Sequence, residues 1–298
     1  MTKVKSKITP DTILKNFWKD NNRFADLFNA CFFDGNPELN PDDLTEVDTD
    51  ISSLLQFHGY AETVKKIVDV VKKSAYGVDF VILGIENQAK IHYAMPLRHM
   101  LGDAFSYLKE YNEIAKKYKD EKPHGTPDEF LSKMKKTDRL HSVLTICIYY
   151  GETPWDGPRS LIDMLEIPDA FKPLISDYKF NLIELRKSEH LKFHNNDVDK
   201  IFNISRFIFD EKYDKITDIF KDENISSELA MVIGCITESQ KLINDAVESE
   251  EKGGSVNMCK ALEKLEERGR QEGRLEGRLQ GQIAVSYTHL RAHETSAH

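Results

Sequence analysis

Hydrophobic positions recur along the chain with two spacings, one typical of helices and one typical of strands. Apolar residues from Phe17 to Cys31 follow the helical spacing and predict one helix over residues 12–33, with Thr12 as its N-cap. A second helical stripe predicts a helix over residues 94–119, with Pro96 in its first turn. That stripe consists of Ala94, Leu97, Leu101, Phe105, Leu108, Tyr111 and Ile114.

Several runs rich in apolar and β-branched residues predict strands between these helices. A short strand is expected over residues 44–51, and two runs around a turn at residues 74–77 predict a β-hairpin. Residues 142–150 are almost wholly apolar, as expected of a strand that is covered on both faces, and residues 180–185 predict another strand. Residues 119–129 are expected to form a loop and residues 197–250 to be helical. The order of these elements predicts an α/β core followed by a mostly helical C-terminal region.

Composition narrows the class of protein. The 298 residues are 40% hydrophobic and 31% charged, which excludes a disordered or collagen-like chain. There is no 18-residue apolar run, so no membrane partner is expected. There is no signal-peptide pattern and the four cysteines form no CxxC pair, so we expect a cytoplasmic protein with reduced thiols. No P-loop motif is present, so no nucleotide cofactor is expected. The net charge of −9 argues against coating nucleic acid through bulk charge, but it leaves a metal-dependent nuclease possible.

The predicted hairpin carries the candidate chemistry. If Lys73 pairs with Phe80, Asp69 lies opposite Gly84, and Glu86 is its diagonal neighbour on the apolar face. Two buried carboxylates without a partner are costly, and Mg²⁺ between them would remove that cost. The alternative is structural: Asp69 would be exposed on an edge strand, and Glu86 would belong to a polar strand end.

Three segments resemble a known family. They are FADLFNACFFDG, FVILGIENQAKIHYAMPLRHMLGDAFSYL and LTICIYYGETPWDGPRSL. They are similar to the Rpn family of recombination-promoting nucleases, also called YhgA-like putative transposases, within the PD-(D/E)XK nuclease superfamily. The resemblance covers most of residues 20–250 and the EGR-type tail, and it implies a nuclease core with a central mixed sheet flanked by helices.

The resemblance also implies roles for residues of the hairpin. Asp69 takes the place of the superfamily's Asp, Glu86 that of its Glu, and Gln88 stands where Lys is commonest. Asp69, Glu86 and the main-chain carbonyl of Asn87 would hold Mg²⁺, and Asp69, Glu86 and Gln88 would be the catalytic set. Gln88 could orient water or phosphate, but it cannot supply positive charge.

Three further residues are candidates for accessory roles. Asp26 on the first helix could add a carboxylate to the metal site, or it could lie on the helix surface. Asp79 precedes the second hairpin strand, in or near the turn, and is a further candidate carboxylate. Arg98, at the start of the helix after the hairpin, could contact phosphate, although a surface role is equally open. Lys72, Lys73 and Lys90 could form a local basic rim, although such lysines are usually only solvent-exposed.

We expect five segments along the chain. They are residues 1–19 as an N-terminal segment, 20–165 as the nuclease core, 166–256 as a mostly helical region, 257–284 as a Gly/Glu/Arg-rich helical tail, and 285–298. In the tail, Gly and Arg each recur every four residues, and the interior glycines make it a poor isolated helix. The tail is therefore either a frayed, solvated segment or a self-associating helix that gives a homo-oligomer. The last segment contains VSYTHLRAHET, which resembles a translated sequencing adapter, and we expect it to be an artefact.

The expected function is Mg²⁺-dependent endonucleolytic cleavage of DNA, linked by the resemblance to recombination or mobile elements in a bacterium. One alternative is a catalytically inactive relative that binds DNA or its own kind. Another is a helical adaptor without a nucleic-acid role, which would leave the buried carboxylates unexplained.

Overall fold

The computed structural model describes residues 9–47, 70–83, 91–121, 125–151, 153–220, 223–252 and 254–257. Eight α-helices occur in these ranges. They are α1 Pro10–Trp18, α2 Asn21–Phe32, α3 Met95–Glu121, α4 Pro127–Ser132, α5 Asn196–Phe209, α6 Tyr213–Phe220, α7 Ser227–Ile236 and α8 Gln240–Lys252. The strands of the same ranges are β1 Thr45–Glu46, β2 Val70–Ala75, β3 Val78–Leu83, β4 Ser142–Tyr149, β5 Asn181–Glu184, β6 Asn224–Ser226 and β7 Ser255–Asn257. The α/β class expected from the sequence is confirmed.

Strands β1 to β5 form one mixed sheet in chain order. β1 pairs with β2 and β2 with β3 in antiparallel fashion, whereas β3–β4 and β4–β5 are parallel. The long helix α3 makes the crossover from β3 to β4 and therefore begins near the end of the sheet at which β3 leaves it. β6 and β7 form a separate antiparallel pair.

The sheet lies between two unequal apolar layers. Strand β4 alternates between them: Ile146 and Ile148 belong to the main core, while Cys147 and Tyr149 belong to a smaller cluster on the other face. The prediction of a strand covered on both faces is thus confirmed. The main core also contains residues of α1, α2, α5, α6, α7 and α8, so it is continuous between the N-terminal helices and the C-terminal region.

The first predicted helix is two helices, so the prediction of one helix over residues 12–33 is wrong. Thr9, and not Thr12, caps α1, and its side chain accepts a hydrogen bond from the Thr12 amide. The chain then turns, and the Asp20 side chain caps α2 by accepting from the Arg23 amide at 3.0 Å. The apolar residues have similar spacing in both helices, so the only sequence signal for the break between α1 and α2 is the capping residue Asp20.

Helix α3 forms as predicted, but the predicted apolar stripe does not define its buried face. Leu97 and Leu108 are 38% and 43% exposed, while Met95, His99 and Asp103 are buried against the sheet. His99 and Asp103 can be buried because β4 and a nearby tyrosine supply them with hydrogen-bond partners. Periodicity therefore identifies this helix without identifying its inner face.

Two further expectations for loops and helices are corrected. The segment 119–129, expected to be a loop, contains the end of α3 and the start of α4. Thr126 and Glu129 form a capping box for α4, a signal already present in the sequence TPDE. The region 197–250, expected to be helical, also contains β6, which pairs with β7 beyond it.

Candidate functional site

The predicted hairpin forms with the pairing on which the candidate metal site depends. β2 and β3 are antiparallel, Lys73 pairs with Phe80, and Val70 pairs with Leu83 at the end of the described part. The four residues of the candidate site lie outside the described residues. They are Asp69, which precedes Val70, and Glu86, Asn87 and Gln88, which follow Leu83. Their predicted roles stay predictions.

The described part of the hairpin has an apolar face, which is the face on which Asp69 and Glu86 were expected. Val71, Phe80 and Ile82, which alternate along β2 and β3, are all buried in the main core. The ring of Phe28 on α2 lies edge-on to Phe80, with 5.2 Å between centroids. One face of the hairpin is therefore firmly packed on α2.

Arg98 lies beside the strand end from which the candidate motif continues. It is in the first turns of α3, and its charge acts on Cys147, which pairs with Leu83 across β3 and β4. Burial raises the pKa of the Cys147 thiol, and the Arg98 charge opposes part of that rise. Burial lowers the pKa of His92, and Arg98 lowers it further. A cationic side chain is thus present at the end of the sheet where β3 leaves it.

Asp79 is placed at the other end of β3 and has a structural partner. Its carboxylate lies 2.8 Å from the Lys72 ammonium, and both side chains are buried, with exposed fractions of 12% and 8%. Asp79 is four residues before Leu83, or about 13 Å along an extended strand, which exceeds the reach of one cation. The structure does not bring Asp79 together with Arg98.

The two lysines of β2 do not form the basic rim expected from the sequence, and Lys90, the third lysine of that rim, lies outside the described residues. Lys72 is neutralised by Asp79, and Lys73 is fully buried. The Lys73 ammonium donates hydrogen bonds to the carbonyl of Lys19 and the side chain of Asn21, at the turn between α1 and α2. Burial lowers the pKa of Lys73. Lys73 is therefore a structural link from the hairpin to the helices.

Asp26 lies on a different side of α2 from the hairpin contact. It precedes Phe28 by two residues, or about 200° around the helix, and its Oδ1 accepts a hydrogen bond from the His194 amide at 2.9 Å. Together with Asn29, Leu39 and His194 it lines a cavity of about 520 Å³. Burial, with a contribution from Asp26, raises the pKa of the Cys31 thiol to about 12. The structure thus places Asp26 with the loop before β1 and the segment before α5.

A buried polar network between α3 and the sheet escaped the sequence reasoning. Asp103 accepts a 2.6 Å hydrogen bond from Thr145 and a second one from the Tyr178 hydroxyl. His99, one turn before Asp103, places Nε2 3.3 Å from the Thr145 carbonyl. Burial lowers the pKa of His99 and, together with the bond to Asp103, raises that of Tyr178. The His–Asp spacing of four residues was the available signal, but both residues lie on the side of the helix opposite the predicted apolar stripe.

A second group missed in the sequence lies where β5 ends. The Glu184 carboxylate is buried; it accepts a 3.0 Å hydrogen bond from the Trp155 amide and forms ion pairs with Arg159 and Lys187. Glu184 pairs with Tyr149 of β4, whose ring lies edge-on to Trp155. The loop after β4 is therefore fixed to the sheet by one carboxylate, and Arg159 and Lys187 remain half exposed at 54% and 56%.

Glu184 predicts a specific pH dependence of stability. Burial alone would raise its pKa, but the bonds from Trp155, Lys187 and Arg159 leave the pKa below the ordinary 4.5. A lowered carboxyl pKa stabilises the fold above the unfolded-state pKa and loses that effect as pH falls through the folded-state pKa. We expect urea unfolding from pH 7 to pH 3 to show a steeper loss of stability for wild type than for Glu184→Gln. Equal slopes for the two proteins would contradict this assignment.

Among the described residues no group of three or more His, Cys, Asp and Glu side chains is placed to hold a metal ion. No helix of the described part combines the length and apolarity needed to cross a bilayer. No family model, curated protein or solved structure matches the sequence.

Proposed function

We propose that the protein is a Mg²⁺-dependent DNA endonuclease with its site at the open end of the β2–β3 hairpin. The observation that supports the proposal is the hairpin register. Lys73 pairs with Phe80 and Val70 with Leu83, which is the pairing that the two-carboxylate site requires of its neighbouring strands. A slip by one residue would turn one carboxylate to the opposite face of the sheet and leave no shared site.

The residues proposed to hold the metal have suitable chemistry. Asp69, Glu86 and the main-chain carbonyl of Asn87 offer only oxygen ligands, which Mg²⁺ prefers. Mg²⁺ bound there would lower the pKa of a coordinated water and stabilise charge on the phosphate. Gln88 would orient water or phosphate through its amide. Two observations support the fit to Mg²⁺: the candidate ligands are all oxygen atoms, and the register of β2 and β3 is the one that the site requires.

The position of α3 supports the same assignment. The helix begins near the end of the sheet at which β3 leaves it, and Arg98 acts there on Cys147, next to the strand that carries the motif. A phosphodiester at that end of the sheet would meet both a helix N-terminus and a guanidinium, and both favour an anion. Arg98 would thus position substrate and compensate in part for the lack of a lysine at Gln88.

Cleavage of supercoiled plasmid by the full chain tests the proposal. We expect nicked and linear products with Mg²⁺ and none with EDTA, because the metal supplies both the activated water and charge neutralisation. A parallel titration of Mg²⁺ should raise the Tm of the protein in the absence of DNA. If metal binding persists without cleavage, the alternative of an inactive DNA-binding relative is favoured. If neither is observed, the metal site itself is refuted.

A further inference from the structure

The carboxyl ends of three parallel strands lie at one end of the sheet. β3, β4 and β5 are parallel neighbours, and Leu83, Cys147 and Leu182 form one row across them. Glu184 lies two residues beyond that row on β5. With strands about 4.8 Å apart and a rise of about 3.3 Å per residue, the Cα atoms of Leu83 and Glu184 are roughly 12 Å apart. Open α/β sheets commonly bind their ligands outside the carboxyl ends of the strands.

The loop after β4 joins this end of the sheet to the start of α3. Trp155 of the loop packs in the same buried cluster as Met95, the first residue of α3. A Cβ on Gly157 would lie 3.2 Å from Cγ2 of Ile91, so the loop lies directly against the segment before α3. The end of β5, to which Glu184 bonds this loop, is therefore part of the same surface as the start of α3.

Two basic side chains of this surface share one buried carboxylate. Arg159 and Lys187 are 54% and 56% exposed, whereas the Glu184 side chain with which both are paired is 7% exposed. One cation is enough to neutralise Glu184, so the second is in excess at the surface. The acidic side chains of the loop have partners of their own. Asp163 accepts from two backbone amides, both at 2.9 Å, and Asp156 accepts from a tyrosine hydroxyl.

The ion pairs also restrict the two basic side chains. A long basic side chain loses conformational entropy when it binds a ligand, and one that is already held by an ion pair loses less. Arg159 contacts Glu184 through the terminal nitrogen Nη2, and the planar guanidinium carries further N–H donors. A half-exposed guanidinium held in this way can donate to a phosphate, for which its geometry is well suited.

We propose that Arg159 and Lys187 bind a backbone phosphate of DNA that flanks the cleavage site, and that Glu184 positions them. The inference rests on the proposed function for the location of the scissile phosphate, at the end of β3. The distance of roughly 12 Å from Leu83 to Glu184 spans about three to four nucleotides of duplex, at about 3.4 Å each. A duplex that crosses the strand ends from β3 to β5 therefore brings a second phosphate to Arg159 and Lys187.

Fluorescence anisotropy of a labelled DNA duplex tests the inference without requiring cleavage. Ca²⁺ replaces Mg²⁺ in one series, because Ca²⁺ also takes oxygen ligands but in a looser geometry, and a second series contains EDTA. We expect Arg159→Gln and Lys187→Gln each to raise the Kd about tenfold, since each removes a hydrogen bond to a charged group. The dependence of log Kd on log salt concentration should become shallower by about one for each variant.

Three comparisons separate phosphate binding from stability. Lys192→Gln is the matched control, because Lys192 is 60% exposed and pairs with Asp34 after α2, and it should leave the Kd and its salt dependence unchanged. Arg159→Lys keeps the charge and should retain most of the salt dependence. Lys187→Gln leaves Glu184 its Arg159 partner, so this variant tests binding even if Arg159→Gln does not fold. Circular dichroism and the Tm establish which variants are folded.

Cleavage kinetics with Mg²⁺ distinguish this inference from the proposed function. The two Gln variants should raise KM more than they lower kcat, because a flanking contact is present in both the bound substrate and the transition state. If wild type cleaves DNA and both variants bind and cleave like wild type, the inference is overturned and the endonuclease stands.

The remaining outcomes are equally distinct. If the variants lose DNA binding but wild type never cleaves, the endonuclease is refuted and the DNA-binding surface stands. Absence of DNA binding by the wild type in both series would overturn the inference. Equal weakening by Lys192→Gln would overturn it as well, because the effect would then be one of bulk charge.

Discussion

Replacing Asp69 by Asn or Glu86 by Gln is expected to lower Mg²⁺-dependent plasmid cleavage by about 10³-fold or more. Each change keeps the size of the side chain and removes one charged metal ligand, so the fold should be retained. Mg²⁺ should also lose most of its effect on the Tm, which gives a readout independent of catalysis. Initial rates with saturating Mg²⁺ and thermal unfolding with and without Mg²⁺ measure the two effects.

The matched control for these variants is Asp218→Asn, which changes an exposed carboxylate on α6. It should leave both the cleavage rate and the Mg²⁺-dependent Tm shift at their wild-type values. Full cleavage by both Asp69→Asn and Glu86→Gln would refute the proposed site. Loss of cleavage with an unchanged Mg²⁺ effect on the Tm would show that other residues bind the metal and that the two carboxylates act in the reaction without holding it.

Of the variants described, Asp79→Ala, which removes one partner of the Lys72–Asp79 ion pair, should cause the largest loss in the free energy of unfolding. The pair is 2.8 Å long and buried, so Asp79→Ala leaves an ammonium without its counter-charge between β2 and α3. We expect the free energy of unfolding to fall by about 3–5 kcal/mol. Equilibrium urea unfolding at pH 7 measures the change.

A double replacement separates the charge effect from packing. Lys72→Met with Asp79→Val replaces the pair by apolar groups and should recover most of the lost stability, because no isolated buried charge remains. A double variant as unstable as Asp79→Ala would show that shape, and not the ion pair, is essential at this position. Cleavage activity per folded molecule should be unaffected, since Asp79 lies far along β3 from the proposed site.

The structure follows most directly from the sequence where one physical rule decides the outcome. The β2–β3 register follows from the tight turn and from alternation of Val71, Phe80 and Ile82, and the structure confirms it. The burial of β4 on both faces follows in the same way from its continuous apolar run.

The sequence was least informative where a polar contact competes with apolar periodicity. Asp20 divides one apolar pattern into two helices, and Asp103 turns a polar face of α3 inward because Thr145 and Tyr178 satisfy it. Lys73 was expected in a basic rim, but it is buried, and its ammonium donates hydrogen bonds to the Lys19 carbonyl and the Asn21 side chain. These outcomes depend on partners distant in the chain, whose positions follow only from the assembled fold.

The packing of α1 on α7 has a consequence for synthesis of the protein. Phe17 of α1 is buried in the same core as Leu229 and Val232 of α7, more than 200 residues later. At 5–20 residues per second, the ribosome needs roughly 10–40 s to add the intervening chain. During that interval the apolar side of α1 has no native partner from α7. Nascent chains should therefore engage chaperones early and be released only after α7 has emerged from the exit tunnel.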